Sequence, residues 1–113
     1  MSDTPNFNQP IEIITALNNK LMTIEHSNET KNGHFKVVAN EVEAGRMTYT
    51  WAGEDRFIID HTEVEEAYNG KGVGKEMLIK AVEFAREKGI KILPLCPFAK
   101  SVFDKTAEFR DVL

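Results

Sequence analysis

The sequence holds one cysteine, Cys96, in 113 residues. With no CxxC partner it can form neither an internal disulfide nor a structural zinc ribbon, so both kinds of small cross-linked domain are excluded. His26, His34 and His61 are scattered, and no metal site is expected. No window approaches the roughly 18 consecutive apolar residues of a membrane span. Met1 to Pro5 carry neither the basic nor the apolar region of a signal peptide. The expectation is therefore a cytoplasmic protein with no membrane partner. A Lys/Arg stripe is also missing: 14 basic against 18 acidic residues leave a net charge of −4, which disfavours nucleic acid as a partner.

What is present suffices for a core. Hydrophobic residues make up 42% and charged residues 28% of the chain, outside the composition of disorder. The reading is a loose terminus over residues 1–9, with Pro5 and Pro10 as breakers, followed by a single domain over residues 10–113. From Pro10, the spacing of Ile13, Ile14, Leu17 and Leu21 predicts a short amphipathic helix. Leu21 to His26 then reads as β-branched alternation, and Ser27 to Gly33 as a turn. His34 to Asn40, Glu43 to Trp51 and Arg56 to Val64 alternate as strands, the last two joined by a hairpin at Ala52-Gly53-Glu54-Asp55. Met47, Tyr49 and Trp51 share one face, read as core.

After Val64 the period changes from two to 3.6. Val73, Met77, Leu78, Ala81, Val82, Phe84 and Ala85 lie on one broad face, and Gly89 ends the helix. Ile90 to Cys96 is a short apolar strand, and Pro97 opens another helix through Phe98, Ala99, Val102 and Phe103. Strand, helix and strand in that order allow a parallel crossover. The fold class is α/β (α+β), with a mostly antiparallel sheet.

Asn69-Gly70-Lys71-Gly72-Val73-Gly74-Lys75 stands between a strand end and this main helix. Backbone N–H groups at a helix start have no partner and carry partial positive charge, and glycines let a phosphate approach them. Three glycines interleaved with Lys71 and Lys75 exceed what a plain turn needs. A Walker A loop fails, because its first glycine position holds Asn69 and the hydroxyl position after Lys75 holds Glu76. A dinucleotide GxGxxG fails because its third glycine position is Lys75.

The loop resembles the pyrophosphate loop of the Gcn5-related N-acetyltransferases, Gln/Arg-x-x-Gly-x-Gly/Ala, read here as Asn69-x-x-Gly72-x-Gly74 with Asn69 a departure. The resemblance extends from about Met22 to Leu113, through Ile59-Asp60-His61-Thr62-Glu63-Val64, Ala85-Arg86-Glu87 and Ile92 to Lys100, and is to the small single-domain branch of that superfamily. It implies a sheet splayed between its fourth and fifth strands, with the pantetheine arm of acetyl-CoA or CoA in the gap. On this resemblance the CoA-binding residues are Glu63 and Val64, Asn69 through Lys75 (Gly70, Lys71, Gly72, Val73 and Gly74 among them), Phe98 and Lys100. The implied activity is acetyl-CoA-dependent N-acetyl transfer to an unidentified amine. The alternative is a non-catalytic acyl-CoA-binding or sensing module, and a nucleotide-binding regulator is disfavoured by the failed Walker pattern.

Transfer from a thioester needs a deprotonated amine, a donor for the oxyanion and a proton for the departing thiolate. Members of the superfamily often supply that proton from a tyrosine near the start of the last helix, where this sequence has Phe98 and Phe103. Cys96, at a strand end before Pro97, is the substitute as nucleophile or acid, weighed against a small buried core residue. His61 is the candidate base, weighed against a hydrogen-bonded sheet histidine. Asp60 alternates away from His61 by simple pleating. Only Ser27 to Gly33 occupies the place where larger relatives build their acceptor pocket, so the pocket must be shallow or shared. A net acidic surface suits a cationic amine, including a protein lysine or a polyamine. The sequence leaves the acceptor and the oligomeric state open.

Overall fold

A computed structural model describes the backbone of residues 11–17 and 20–113, and side chains from Met22 onward. The loose terminus expected over residues 1–9 lies outside the described residues. Six strands form one sheet in sequence order: β1 (Ile11–Leu17), β2 (Lys20–Asn28), β3 (Asn32–Ala39), β4 (Val42–Trp51), β5 (Arg56–Val64) and β6 (Lys91–Pro94). Neighbours from β1 to β5 run antiparallel, and β6 runs parallel to β5. The crossover between them is α1 (Val73–Lys88), and α2 (Pro97–Lys105) follows β6. Short 3-10 segments at Glu66–Tyr68 and Ala107–Val112 complete the described chain.

The helix expected from Pro10 is instead strand β1, whose Ile11 to Leu17 pair with β2. Ile11, Ile13, Ile14 and Thr15 are β-branched, and the neighbouring β2 offers a full ladder of backbone partners, which a helix of two turns cannot match in cooperativity. β1 also moves the strand count by one, so the strand read as fourth is β5. The expected turn over Ser27 to Gly33 contracts to residues 29–31, because Asn28 pairs with Gly33 and Glu29 N–H donates to Asn32 C=O at 2.8 Å.

The main helix has the boundaries its periodicity predicts. Gly89 ends it in the left-handed region, at φ +70°, and its N–H returns to Ala85 and Arg86 carbonyls. Val73, Met77, Leu78, Ala81, Val82 and Ala85 are buried against the face of the sheet that carries Phe35, Val37, Met47, Tyr49, Phe57 and Ile59. Phe84 is half-buried rather than central, and its ring packs against those of His26, Trp51 and Phe57.

One polar network crosses this core. Tyr49 Oη donates to Asn28 Oδ1 at 3.0 Å, and Trp51 Nε1 donates to the same oxygen at 2.8 Å. Because the Tyr49 proton is committed to Asn28, its oxygen accepts from His26 Nε2–H at 2.7 Å, which fixes the histidine tautomer. The imidazole stacks on Phe35 at 4.1 Å. Burial, with His34 and Lys88 adding repulsion, pushes the His26 pKa down from 6.5 to about 4. A lowered histidine pKa contributes stability that is present above the unfolded value and lost as pH falls toward the folded one. Unfolding free energy from urea titration is therefore expected to fall by about 2 kcal/mol between pH 7.5 and pH 5 on account of this residue. His26→Gln should remove most of that pH dependence; an unchanged slope in the variant assigns it to other groups.

Candidate active site

The glycine loop and the start of α1 face the end of β5. Gly70 and Gly72 hold left-handed backbone, φ +77° and +81°, and a Cβ at either would meet no atom within 4 Å. The two glycines thus turn the chain and leave open space above it. Gly72 is the N-cap of α1 and no side chain caps the helix. The N–H groups of its first turn, Val73, Gly74 and Lys75, have no intrahelical acceptors and point out of the helix end. At Gly74 the constraint is contact, since a Cβ there would come within 2.7 Å of the Phe98 ring. Gly74 lets α2 lay Phe98 against the first turn of α1.

These residues line one cavity of about 460 Å³. Of the residues expected at the site, Val64, Asn69, Gly70, Gly72, Val73, Gly74, Lys75 and Phe98 meet there, together with Thr62, Tyr68 and Val102. Lys71 lies within the loop without lining the cavity. Lys100 lies elsewhere, in the groove along β6 with Arg56 and Leu93, where it approaches Asp104 at 3.5 Å. Glu63 lines a different cavity, of about 290 Å³, with Glu43, Arg46, Glu65 and Glu66. Val64 borders both cavities, so they meet across β5.

The two sides of β5 are sorted by an irregularity. Tyr49 pairs with Ile59 and Thr48 with His61, which leaves Asp60 as an extra residue. Simple pleating separates Asp60 from His61, but the bulge puts both on the exposed face. Asp60 Oδ2 accepts from Thr50 Oγ1 at 2.7 Å, while His61 stands opposite Thr48 and contacts Glu63 Oε2 at 3.1 Å. The His61 and Glu63 side chains are 64% and 72% exposed, so solvent screens this pair heavily. Beyond the bulge Thr62 and Val64 turn toward α1 and α2.

Pairing of β5 with β6 stops at Ile59 and Pro94, and β5 continues to Val64 without it. Here the sheet splays, as expected. The last bond across the gap runs from Cys96 N–H to Ile59 C=O at 3.1 Å. Cys96 is the N-cap of α2, with Pro97 at the first helical position and its own carbonyl accepting from Lys100 N–H at 3.0 Å. Its thiol is buried, 3% exposed, and donates to Thr62 Oγ1 at 3.3 Å. Cys96 therefore sits behind Thr62 on the side of the glycine loop, and His61 projects to the opposite face. The two residues singled out for chemistry do not touch.

Thr62 has no counterpart among the residues picked from the sequence. Its orientation follows from the Asp60 bulge, and no spacing rule marks a bulge. Tyr68 and Val102 were likewise invisible as site residues, because their place depends on how the 3-10 turn and α2 close around the loop.

A glycine loop at an uncapped helix start thus stands beside a splayed parallel strand pair. Residues 34–112 match the family described as GCN5-related N-acetyl-transferase. The solution structure of a GCN5-like protein assigned as an N-acetyltransferase, from Staphylococcus aureus, is 34% identical. The match covers 78% of this chain and 85% of that one, with a TM-score of 0.62. A ribosomal-protein-alanine N-acetyltransferase from Brucella melitensis biovar Abortus 2308 shares the fold at TM-score 0.60 and 15% identity, over 68% of this chain and 62% of that one. An aminoglycoside acetyltransferase from a soil metagenome does so at 0.54 and 19%, over 74% and 57%. No curated protein sequence matches significantly. The chain belongs to the GCN5-related N-acetyltransferase family and is an acyltransferase.

Burial of Cys96 behind Thr62 predicts slow modification. A thiol-specific aromatic disulfide reagent should label the native protein more than about tenfold slower than the urea-unfolded chain, because attack needs local opening. Equal rates would place the thiol at the surface.

Proposed function

We propose that this protein transfers an acetyl group from acetyl-CoA to a cationic amine. The observation that carries this reading is the placement of the uncapped first turn of α1, behind Gly70 and Gly72, in one cavity with Thr62, the residue to which the Cys96 thiol is hydrogen-bonded. The three N–H groups of that turn suit the pyrophosphate of CoA, with Lys71 and Lys75 adding positive charge. Phe98 gives an apolar wall to the arm that follows. Backbone groups of β5 beyond Ile59, no longer paired to β6, supply donors for the thioester oxygen.

Cys96 is the proposed nucleophile, reached from the cavity by the same local opening that would admit a thiol reagent. Its sulfur forms a bond to the acetyl carbon, the carbon–sulfur bond to CoA breaks, and the cysteine proton leaves with the CoA thiolate. An amine then attacks the acetyl-cysteine, releasing the thiol and forming the amide. Thr62 Oγ1, which accepts from the thiol at 3.3 Å, holds the sulfur in position. The amine is proposed to arrive from the other face, through the cleft of Glu43, Glu63, Glu65 and Glu66, with His61 and Glu63 as the proton relay. Carboxylates around that cleft suit a lysine side chain on a protein or a polyamine.

Calorimetry with acetyl-CoA, CoA and ATP tests the loop. Gly72→Val puts a side chain into the open space and a β-branched residue into left-handed backbone, at a cost of about 1–3 kcal/mol. The variant, checked for folding by urea titration, should lose at least about tenfold in CoA affinity; a folded variant that binds as the parent does removes the loop assignment. For the nucleophile, mass spectrometry after mixing with acetyl-CoA should show one added acetyl group on Cys96. Cys96→Ala should keep CoA affinity and lose thiol release with amines, and turnover near the parental rate makes Cys96 a packing residue. CoA binding without thiol release across lysine peptides and polyamines would leave the binding-module reading.

A further inference from the structure

On the far half of α1 lies a cavity the acetyl-transfer reading does not use. It has a volume of about 220 Å³, with Ile24, Phe35 and His26 of the sheet as its floor, Phe84 as a wall and Glu83 and Glu87 at its mouth. From Gly74 to Phe84 the helix rises about 15 Å, so this space is remote from the glycine loop. We propose that it is a second small-molecule site, for a compact organic amine whose hydrocarbon body lies on Ile24, Phe35 and Phe84 and whose ammonium sits between His26 Nδ1 and the Glu87 carboxylate.

His26 is the reason to look for a ligand here. It is 6% exposed, its Nε2–H is committed to Tyr49, and its Nδ1 has no partner among the described residues. A buried acceptor without a partner is costly, and an N–H donor removes that cost. Depression of the pKa to about 4 keeps the imidazole neutral near pH 7, so Nδ1 keeps its lone pair. The mouth selects the sign of the ligand. Lys80 pairs with Glu83 at 3.3 Å, while Glu87 forms no ion pair among the described residues, so Glu87 is the carboxylate open to an ammonium. Lys88 Nζ already lies 5.9 Å from the Phe84 ring centroid, so the ligand's ammonium is placed at Glu87 and not over that ring. The volume lies below the usual range for drug-sized ligands, about 300–1,000 Å³, which limits the occupant to a small body.

The site stands independently of the acetyl-transfer reading, and its test uses the full chain labelled with nitrogen-15. Phenethylamine is titrated and amide resonances are followed, with phenylacetate as the anionic control and acetyl-CoA added in a parallel series. Saturable shifts are expected at Ile24, His26, Phe35 and Phe84, unchanged by acetyl-CoA, with no saturation by phenylacetate. Glu87→Gln, a change at an exposed position, should weaken binding about two- to fivefold. The proposal falls if no saturable shift occurs at those residues in the millimolar range. It falls equally if phenylacetate binds as well, if Glu87→Gln leaves affinity unchanged, or if shifts are confined to Gly70 to Lys75 and Cys96, which would make the amine an acceptor at the transfer site instead.

Discussion

The close seating of the first turn of α1 on the sheet governs the rest of the structure. At Gly45 of β4 a Cβ would lie 2.9 Å from Val73 Cγ1 and 3.1 Å from Met77 Cε, so these side chains of the helix start rest on bare strand backbone. On the other side, Gly74 admits Phe98. Two glycines, one on the sheet and one in the helix, thus clamp the N-terminal turn between β4 and α2, with the Val73 and Met77 side chains set directly on the β4 backbone. Packing at this density is stiff, because interdigitated groups have no room to shift by a methyl radius. The N–H groups of that turn consequently have one direction and one depth relative to the splay. An anion site made of backbone dipoles depends on that rigidity, since its donors cannot be re-aimed by rotamer changes.

The second constraint is the extra residue at Asp60. Without it, alternation from buried Ile59 would carry His61 toward the helices and turn Thr62 outward. The bulge inverts this and delivers Thr62 to the thiol and His61 to water. It thereby divides the end of β5 between two cavities that share only Val64. Such a division suits a two-substrate reaction, in which the acyl donor and the acceptor must approach one carbon from different directions.

Much of this was legible in the sequence where a local rule governs the outcome. The period of α1, its Gly89 stop, the Ala52 to Asp55 hairpin and Pro97 at the start of α2 are each decided by residues close in the chain, and the structure keeps them. The Asn69 to Lys75 loop was legible because glycine at φ > 0 is a backbone requirement written directly in residue type. The β1 strand was not, because a short segment rich in isoleucine takes its conformation from the neighbour it pairs with. Thr62 was missed for a similar reason: a bulge is a property of two strands in register, and neither alone announces it. His61 and Cys96 were chosen as chemically capable side chains, and only the register shows that they stand on opposite faces.

The His26 network has a different relation to the site. Tyr49, buried and with its phenol pushed above its ordinary pKa range by desolvation, lies on β4 in line with Gly45, the residue on which α1 rests. Gly33 is held to the same arrangement, since a Cβ there would fall 2.4 Å from Tyr49 Oη and from Ser27 C=O. Register between β2, β3 and β4 is fixed by these contacts, because a slip of one residue would send Tyr49 out of the core and leave His26 and Asn28 without their bonds. The polar chain from His26 through Tyr49 and Asn28 to Trp51 therefore does for the sheet what hydrophobic burial alone cannot. Apolar contact is nondirectional and tolerates neighbouring registers, whereas this chain of directed bonds closes in only one. Since β4 carries both Tyr49 and Gly45, the same register that satisfies the network sets the platform under the first turn of α1.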